Sequence, residues 1–145
     1  MRVFVDSNII IDHLTKREPF DRDAYDLFSR IAKETDLIGY TSVKSLSDIH
    51  YLMKRSLHSS LSALKLITKL TSLLLVLDNT DIDLLKAFSS EVTDFEDALI
   101  AESAVRNKLD FIVTRNVRDF ERSRIKAITP RQCLDMLDMP PLEAK

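Results

Sequence analysis

Three clusters in the chain carry oxygen ligands: Asp6-Ser7-Asn8 near the start, Asp94 with Asp97, and Asn116 with Asp119 near the end. Each follows, or opens a helix beside, a run that reads as a buried β-strand. Carboxylates gathered at the ends of parallel strands can hold a divalent cation against phosphate. Metal-dependent phosphoryl chemistry is the leading expectation. Arg115 and Arg118, in the polar loop Thr114–Phe120, could meet phosphate, and Lys54, Arg55 and His58 form a modest basic group that could touch a backbone phosphate.

Plainer roles compete at each position. Asp6 and Asn8 stand where a helix begins, and both residue types favour N-caps. Asp94 and Asp97 are neighbours on one helix face, where acids in a first turn also favour the helix dipole. Thr93 and Glu96, at capping-box spacing, are expected to cap that helix, which leaves the two aspartates surplus to capping. Ala98, Ala101 and Ala104 would let the helix approach the sheet closely and tuck Asp97 inward. The loop with Asn116 and Asp119 reads either as a ligand loop or as a hydrogen-bonded turn with Arg–Asp pairing. By periodicity alone, Asp12 and Asp48 are solvated charges. His13, His50 and His58 show no ligand spacing, and no Gly-x-Ser-x-Gly or paired Cys/His suggests covalent catalysis.

The elements that must position these residues alternate. Val3–Val5 reads as a strand leading into a short helix that ends before Pro19. Apolar spacing predicts a helix over Asp21–Lys33, a strand over Asp36–Tyr40, and a helix over Val43–Met53 capped by Thr41 and Ser42. A helix over Leu61–Leu70, a strand over Leu73–Leu77 and a helix over Asp81–Ser89 follow. Thr93–Asn107 is the clearest helix. Phe111–Val113 and Ile125–Ile128 are strands, and Thr129-Pro130 opens a last helix; Pro140-Pro141 ends the ordered chain. Strands alternating with helices predict an α/β fold with a mostly parallel sheet covered on both faces. Ligands bind such folds at the carboxyl ends of the strands, the edge where Asp6 and Asn116 fall.

The 145 residues are sized for one domain. The 21 basic and 23 acidic residues, net −2, argue against a basic DNA-coating protein. A single glycine, Gly39, excludes P-loops and dinucleotide-binding turns, which need several. A single cysteine, Cys133, excludes an internal disulfide and a cysteine-built zinc site. The longest aliphatic run, Leu73–Leu77, is far short of the ~20 residues that span a bilayer. The chain opens directly into a strand that Asp6 interrupts, so no signal peptide and no membrane anchor are expected and the location expected is cytoplasmic.

Val3-Phe4-Val5-Asp6-Ser7-Asn8, Asp94-Phe95-Glu96-Asp97-Ala98-Leu99-Ile100-Ala101 and Ile112-Val113-Thr114-Arg115-Asn116 with Asp119-Phe120 resemble, in that order, the motifs of the PIN domain. The resemblance covers essentially the whole chain. It implies a three-layer α/β/α sandwich and a ribonuclease dependent on Mg²⁺ or Mn²⁺, and small single-domain members of this kind include VapC-type toxins held inactive by an antitoxin. Carried over by position, it implies metal ligation by Asp6 and Asp97. Asp48 falls where the family usually has a glutamate, so the resemblance overrides the solvated reading of that residue. Asn116, with Asp119 close behind, falls where many members have an aspartate, and Asp94 is an extra acid that could serve as a ligand. Asn8, Arg115, Arg118 and Lys54 are expected substrate contacts, RNA the substrate, and a homodimer the assembly, with Ser59–Leu70 and the segment around Leu84–Phe88 as its face. One rival reading is a non-catalytic RNA- or protein-binding module with a degenerate site. Another, a haloacid-dehalogenase-like phosphatase, needs an aspartate where this chain has Asn8.

Overall fold

The computed structural model describes residues 1–140 and 142. Five strands, β1 (Arg2–Val5), β2 (Ile38–Ser42), β3 (Leu75–Leu77), β4 (Phe111–Val113) and β5 (Ala127–Ile128), form one sheet in the order β3-β2-β1-β4-β5. Every neighbouring pair is parallel. The central strand shows why: Val3, Phe4 and Val5 are all 0% exposed, so β1 is covered on both faces, the usual condition of a parallel strand.

Alternation along β1 sorts the two cores. Val3 and Val5 point to the face covered by α1 (Ser7–Thr15), α2 (Asp21–Lys33), α3 (Val43–Leu57), α4 (Ser60–Leu70) and α7 (Pro130–Asp138), where Ile9, Leu27, Ile49, Ala63 and Cys133 complete the packing. Phe4 points to the opposite face, with Tyr40 and Ile112, against Ala101 and Ala104 of α6 (Phe95–Arg106) and Phe120 of the 3₁₀ turn Val117–Phe120. Small residues along α6 do let it lie close to the sheet. α5 (Asp81–Phe88) joins α6 through Ala87, Val92 and Ala98. Helices on both faces of the sheet make the three-layer α/β/α sandwich.

Several boundaries differ from the sequence expectation. Thr41 and Ser42 continue β2, although Ser42 also caps α3 by accepting the Ser45 N–H at 3.1 Å. α3 runs on to Leu57, beyond the expected Met53, and ends on His58 in the left-handed region at φ 52°. β3 begins only at Leu75, because Leu73 and Leu74 close the turn after α4 by donating to the Leu70 carbonyl. β5 is reduced to Ala127–Ile128. α7 opens as expected, with Thr129 and Gln132 forming a capping box around Pro130. Of the expected Pro140-Pro141 chain end, Pro141 lies outside the described residues.

Strand order fixes where a site can form. From β1 the sheet grows to β2 and β3 on one side and to β4 and β5 on the other. The crevice of such a sheet opens where the order reverses, at the carboxyl ends of β1 and its neighbours. Asp6 and Thr114 are the residues that leave β1 and β4 at that point.

Candidate functional site

Asp6 is held from two sides. It caps α1, with Oδ1 accepting the Ser7 N–H at 2.8 Å, so the helix-cap role is real. Its Oδ2 accepts the hydroxyl of Thr114 at 2.7 Å. Thr114, fully buried, also accepts from the Asn8 amide at 3.3 Å and from the Asn116 backbone N–H at 3.1 Å. One hydroxyl therefore ties the exit of β1 to the exit of β4. Burial raises the Asp6 pKa, and the nearby Asp119 charge adds to the rise against the hydrogen bonds from Thr114 and Ser7.

Asp97 is the most perturbed carboxyl. Burial, followed by the charges of Asp94, Asp6, Asp119 and Glu96, raises it to about 7. Four carboxylates acting on a fifth show that the clusters, distant in sequence, do converge. An open cavity of about 400 Å³ lies between α3 and α6, bordered by Asp6, Asp97 and Asp48 together with Lys44, Glu96 and Asn79. Asp48 is thus on the cavity wall, a placement that periodicity did not indicate. Its Oδ2 lies 2.5 Å from the Lys44 ammonium, which also reaches Glu96 at 3.4 Å.

Three readings of the sequence are corrected. Thr93 and Glu96 do not cap α6; Asp94 does, its Oδ1 accepting the Asp97 N–H at 2.9 Å, because the chain turns helical one residue later than the Thr93 reading requires. Asp94 is therefore a cap that also adds charge to the site. Asp12 is not solvated: it is 0% exposed beneath the Arg115 guanidinium, whose Nε lies 2.6 Å from Oδ2 and whose terminal nitrogen donates to Oδ1 at 3.3 Å. The same guanidinium sits 4.3 Å from the centre of the Phe20 ring, so Arg115 is taken up in bracing α1 and the loop before α2. Its sequence suggested phosphate; its neighbours are an acid and an aromatic.

The remaining expected residues divide. Asp119 is exposed on the 3₁₀ turn, and its charge reaches both Asp6 and Asp97. Asn116 contributes its backbone N–H to the Thr114 hydroxyl, while its side chain is exposed and caps nothing. Asn8 braces Thr114. Arg118 and Lys54 are exposed and lie off the cavity wall. Sequence reasoning missed Thr114, Lys44 and Asn79, whose Oδ1 is buried with no hydrogen-bond partner among the described residues. Lys44 had a signal: a cation in the first turn of a helix opposes the dipole. Thr114 had none, since a threonine after a strand is ordinary.

The donor set suits a hard divalent cation, for it is all oxygen and carries uncompensated negative charge, which the raised Asp97 registers. The side chains border one space without meeting at one point: among the described residues no three acidic, histidine or cysteine side chains are grouped closely enough to share an ion.

A parallel α/β/α sandwich with an acidic cavity at its switch point belongs to the α/β folds that bind ligands at the carboxyl edge of the sheet. The chain matches the PIN domain over residues 2–118, and it belongs to that family. Its fold is similar to that of VapBC2 from Rickettsia felis, solved bound to a DNA fragment from the promoter, with a TM-score of 0.66 and 16% identity over 89% of this chain and 98% of that one. It is also similar to DNA-bound VapBC from Salmonella typhimurium, at TM-score 0.65 and 22% identity over 90% and 98%. VapC20 of Mycobacterium tuberculosis, a toxin that cleaves the Sarcin-Ricin loop, aligns at TM-score 0.63 and 15% identity over 86% and 98%. No curated protein sequence matches this one significantly.

Proposed function

We propose that this protein is a metal-dependent endoribonuclease, using Mg²⁺ or Mn²⁺, and the toxin of a toxin–antitoxin pair. The observation that carries the reading is that Asp6, Asp48 and Asp97 border one cavity at the carboxyl end of β1, with Asp97 raised to about 7. Burial and neighbouring carboxylates raise it, and a bound divalent cation would offset that charge. The VapBC complexes that share the fold support an antitoxin as partner, and VapC20, which cleaves the Sarcin-Ricin loop, supports RNA as substrate.

Asp6, Asp97 and Asp48 are the residues that would hold the ion, with Asp94 at the margin. When bound, the metal supplies an acidified water and offsets charge on the phosphate. Asp6 needs little rearrangement, because Ser7 and Thr114 already fix both its oxygens. Asp119, exposed beside Asp6 and Asp97, orients the attacking water, and the Asn116 backbone holds Thr114 in place for that turn. Arg118 and Lys54, both exposed and in no ion pair among the described residues, meet the RNA backbone. A phosphatase of the haloacid-dehalogenase kind is disfavoured, since Asn8 spends its amide on Thr114 and cannot act as acid or base.

The homodimer reading is supported by the exposed apolar side chains of α4 and α5, among them Leu61, Leu64, Leu85 and Phe88. Among the described residues no helix is long and apolar enough to cross a membrane, in keeping with the proposed cytoplasmic location.

Labelled RNA incubated with Mn²⁺ or Mg²⁺, beside EDTA and an Asp97→Asn variant, tests the reading. Cleavage that disappears in both controls is expected. RNA left intact by folded protein under every metal condition, across transfer, ribosomal and messenger RNA, would replace the nuclease with a binding module.

A further inference from the structure

Lys44 is the one cation lining the acidic cavity among the described residues. Helix physics does not explain its place. It stands in the first turn of α3, where the dipole disfavours positive charge. Its partner Asp48 follows it by four residues, the weaker order for a helical ion pair. The ammonium also reaches past its own helix to Glu96 on α6, at 3.4 Å, and so bridges both walls of the cavity. Both side chains of the main pair remain partly exposed, 42% and 49%, so the contact is free to open. What the position offers is negative charge that nothing else compensates. Asp6, Asp97, Asp48 and Glu96 border the same space, and Lys44 is the counter-ion within it.

We infer that Lys44 is the resident counter-ion of this site, occupying the Asp48 carboxylate and giving it up when a divalent cation enters. The inference rests on the metal-nuclease reading of the same cavity. An exchange of this kind costs the incoming ion one ion pair, and so sets the metal affinity below what the carboxylates alone would give. It also frees an ammonium at the moment the site becomes charged with metal. Glu96, exposed on the opposite wall, offers the released side chain a second anchor, so that it stays at the cavity mouth.

Two measurements on the full chain test this. In the first, free Mn²⁺ is titrated by electron paramagnetic resonance against wild type, Lys44→Met, Lys44→Gln and Lys44→Arg at one pH and ionic strength. Lys44→Met and Lys44→Gln should bind Mn²⁺ about two- to fivefold tighter, the range an exposed ion pair spans, while Lys44→Arg keeps the pair and stays near wild type. In the second, brief acetylation followed by mass spectrometry reads how accessible Lys44 is, and labelling should rise on adding Mn²⁺, with Lys65 on α4 unchanged. Circular dichroism of each variant confirms folding, which a half-exposed side chain should not disturb. Wild type that binds Mn²⁺ and cleaves RNA, with Lys44→Met binding no tighter or Lys44 labelling unmoved, overturns the inference and leaves the nuclease reading standing. Absence of Mn²⁺ binding in every variant overturns both.

Discussion

Replacing Asp97 with asparagine should make the metal-free protein more stable while removing the proposed RNA cleavage. The carboxyl is raised from an ordinary 3.8 to about 7 by burial and by the charges of Asp94, Asp6, Asp119 and Glu96. Between those two values the folded state binds more protons than the unfolded state, so stability falls as pH rises through the window and the cost is complete above about 7. A displacement of that size corresponds to roughly 4 kcal/mol at face value. Solvent around a half-exposed side chain screens much of it, leaving about 1–2 kcal/mol. Asparagine keeps the shape, and among the described residues the Asp97 carboxylate accepts no hydrogen bond that would be lost. Its backbone N–H still donates to Asp94. Urea denaturation in EDTA at pH 8 should therefore find Asp97→Asn more stable by about 1–2 kcal/mol, a rise of roughly 3–8 °C in Tm. Near pH 4 the gap should close. Excess Mn²⁺ should stabilise wild type and leave the variant behind, reversing the order. A variant equal to or weaker than wild type at pH 8 in EDTA would refute the argument, because the proposed electrostatic cost would then be absent.

Thr114→Val deletes the hydroxyl that serves Asp6, Asn8 and the Asn116 N–H; it should cost about 2 kcal/mol in urea denaturation and most of the cleavage rate, with Thr114→Ser recovering much of both. Arg115→Leu strands the buried Asp12 carboxylate and should cost about 3 kcal/mol by the same assay, whereas a substrate-contact role alone would leave stability intact. Mn²⁺ at about a hundred times its Kd should add about 2.7 kcal/mol to wild-type stability, a shift in Tm that EDTA reverses. His58→Gly relieves a left-handed cap at φ 52° and should stabilise by about 1 kcal/mol in thermal melts without changing Mn²⁺ affinity.

The fold was legible because its signals are local and redundant. Val3–Val5, Phe111–Val113 and the helical spacing of Ala24, Leu27 and Phe28 report burial directly, and alternation of strand with helix then leaves a parallel sheet covered on both faces. Boundaries were less legible wherever one residue does two jobs. Ser42 both ends a strand and caps a helix, and leucines in a row carry no periodicity to show that Leu74 fills the core from a turn while Leu75 opens β3.

The site was legible to the extent that its carboxylates sit at element ends. Asp6 announces itself by following a buried strand. Asp97 does so by opening a helix of small residues, although the capping argument that singled it out was wrong in its particulars: Asp94, not Thr93, accepts the first-turn N–H. Side-chain direction was beyond reach. Asp12 and Asp48 both look solvated by periodicity, yet one is sealed under Arg115 and the other lines the cavity, paired with Lys44 one turn earlier on the same helix. The difference lies in which partner comes back from far along the chain: Arg115 returns to Asp12 from over a hundred residues away, at a separation of 103. Sequence spacing cannot encode that closure, but charge can hint at it. An arginine beside a strand end and a lysine against a helix dipole are both out of place locally, and each proves to answer acids: Arg115 meets Asp12 of α1, and Lys44 meets Asp48 on its own helix and Glu96 on α6. Misplaced cations are therefore a useful sign here, since they mark buried or clustered acids that spacing along the chain does not reveal.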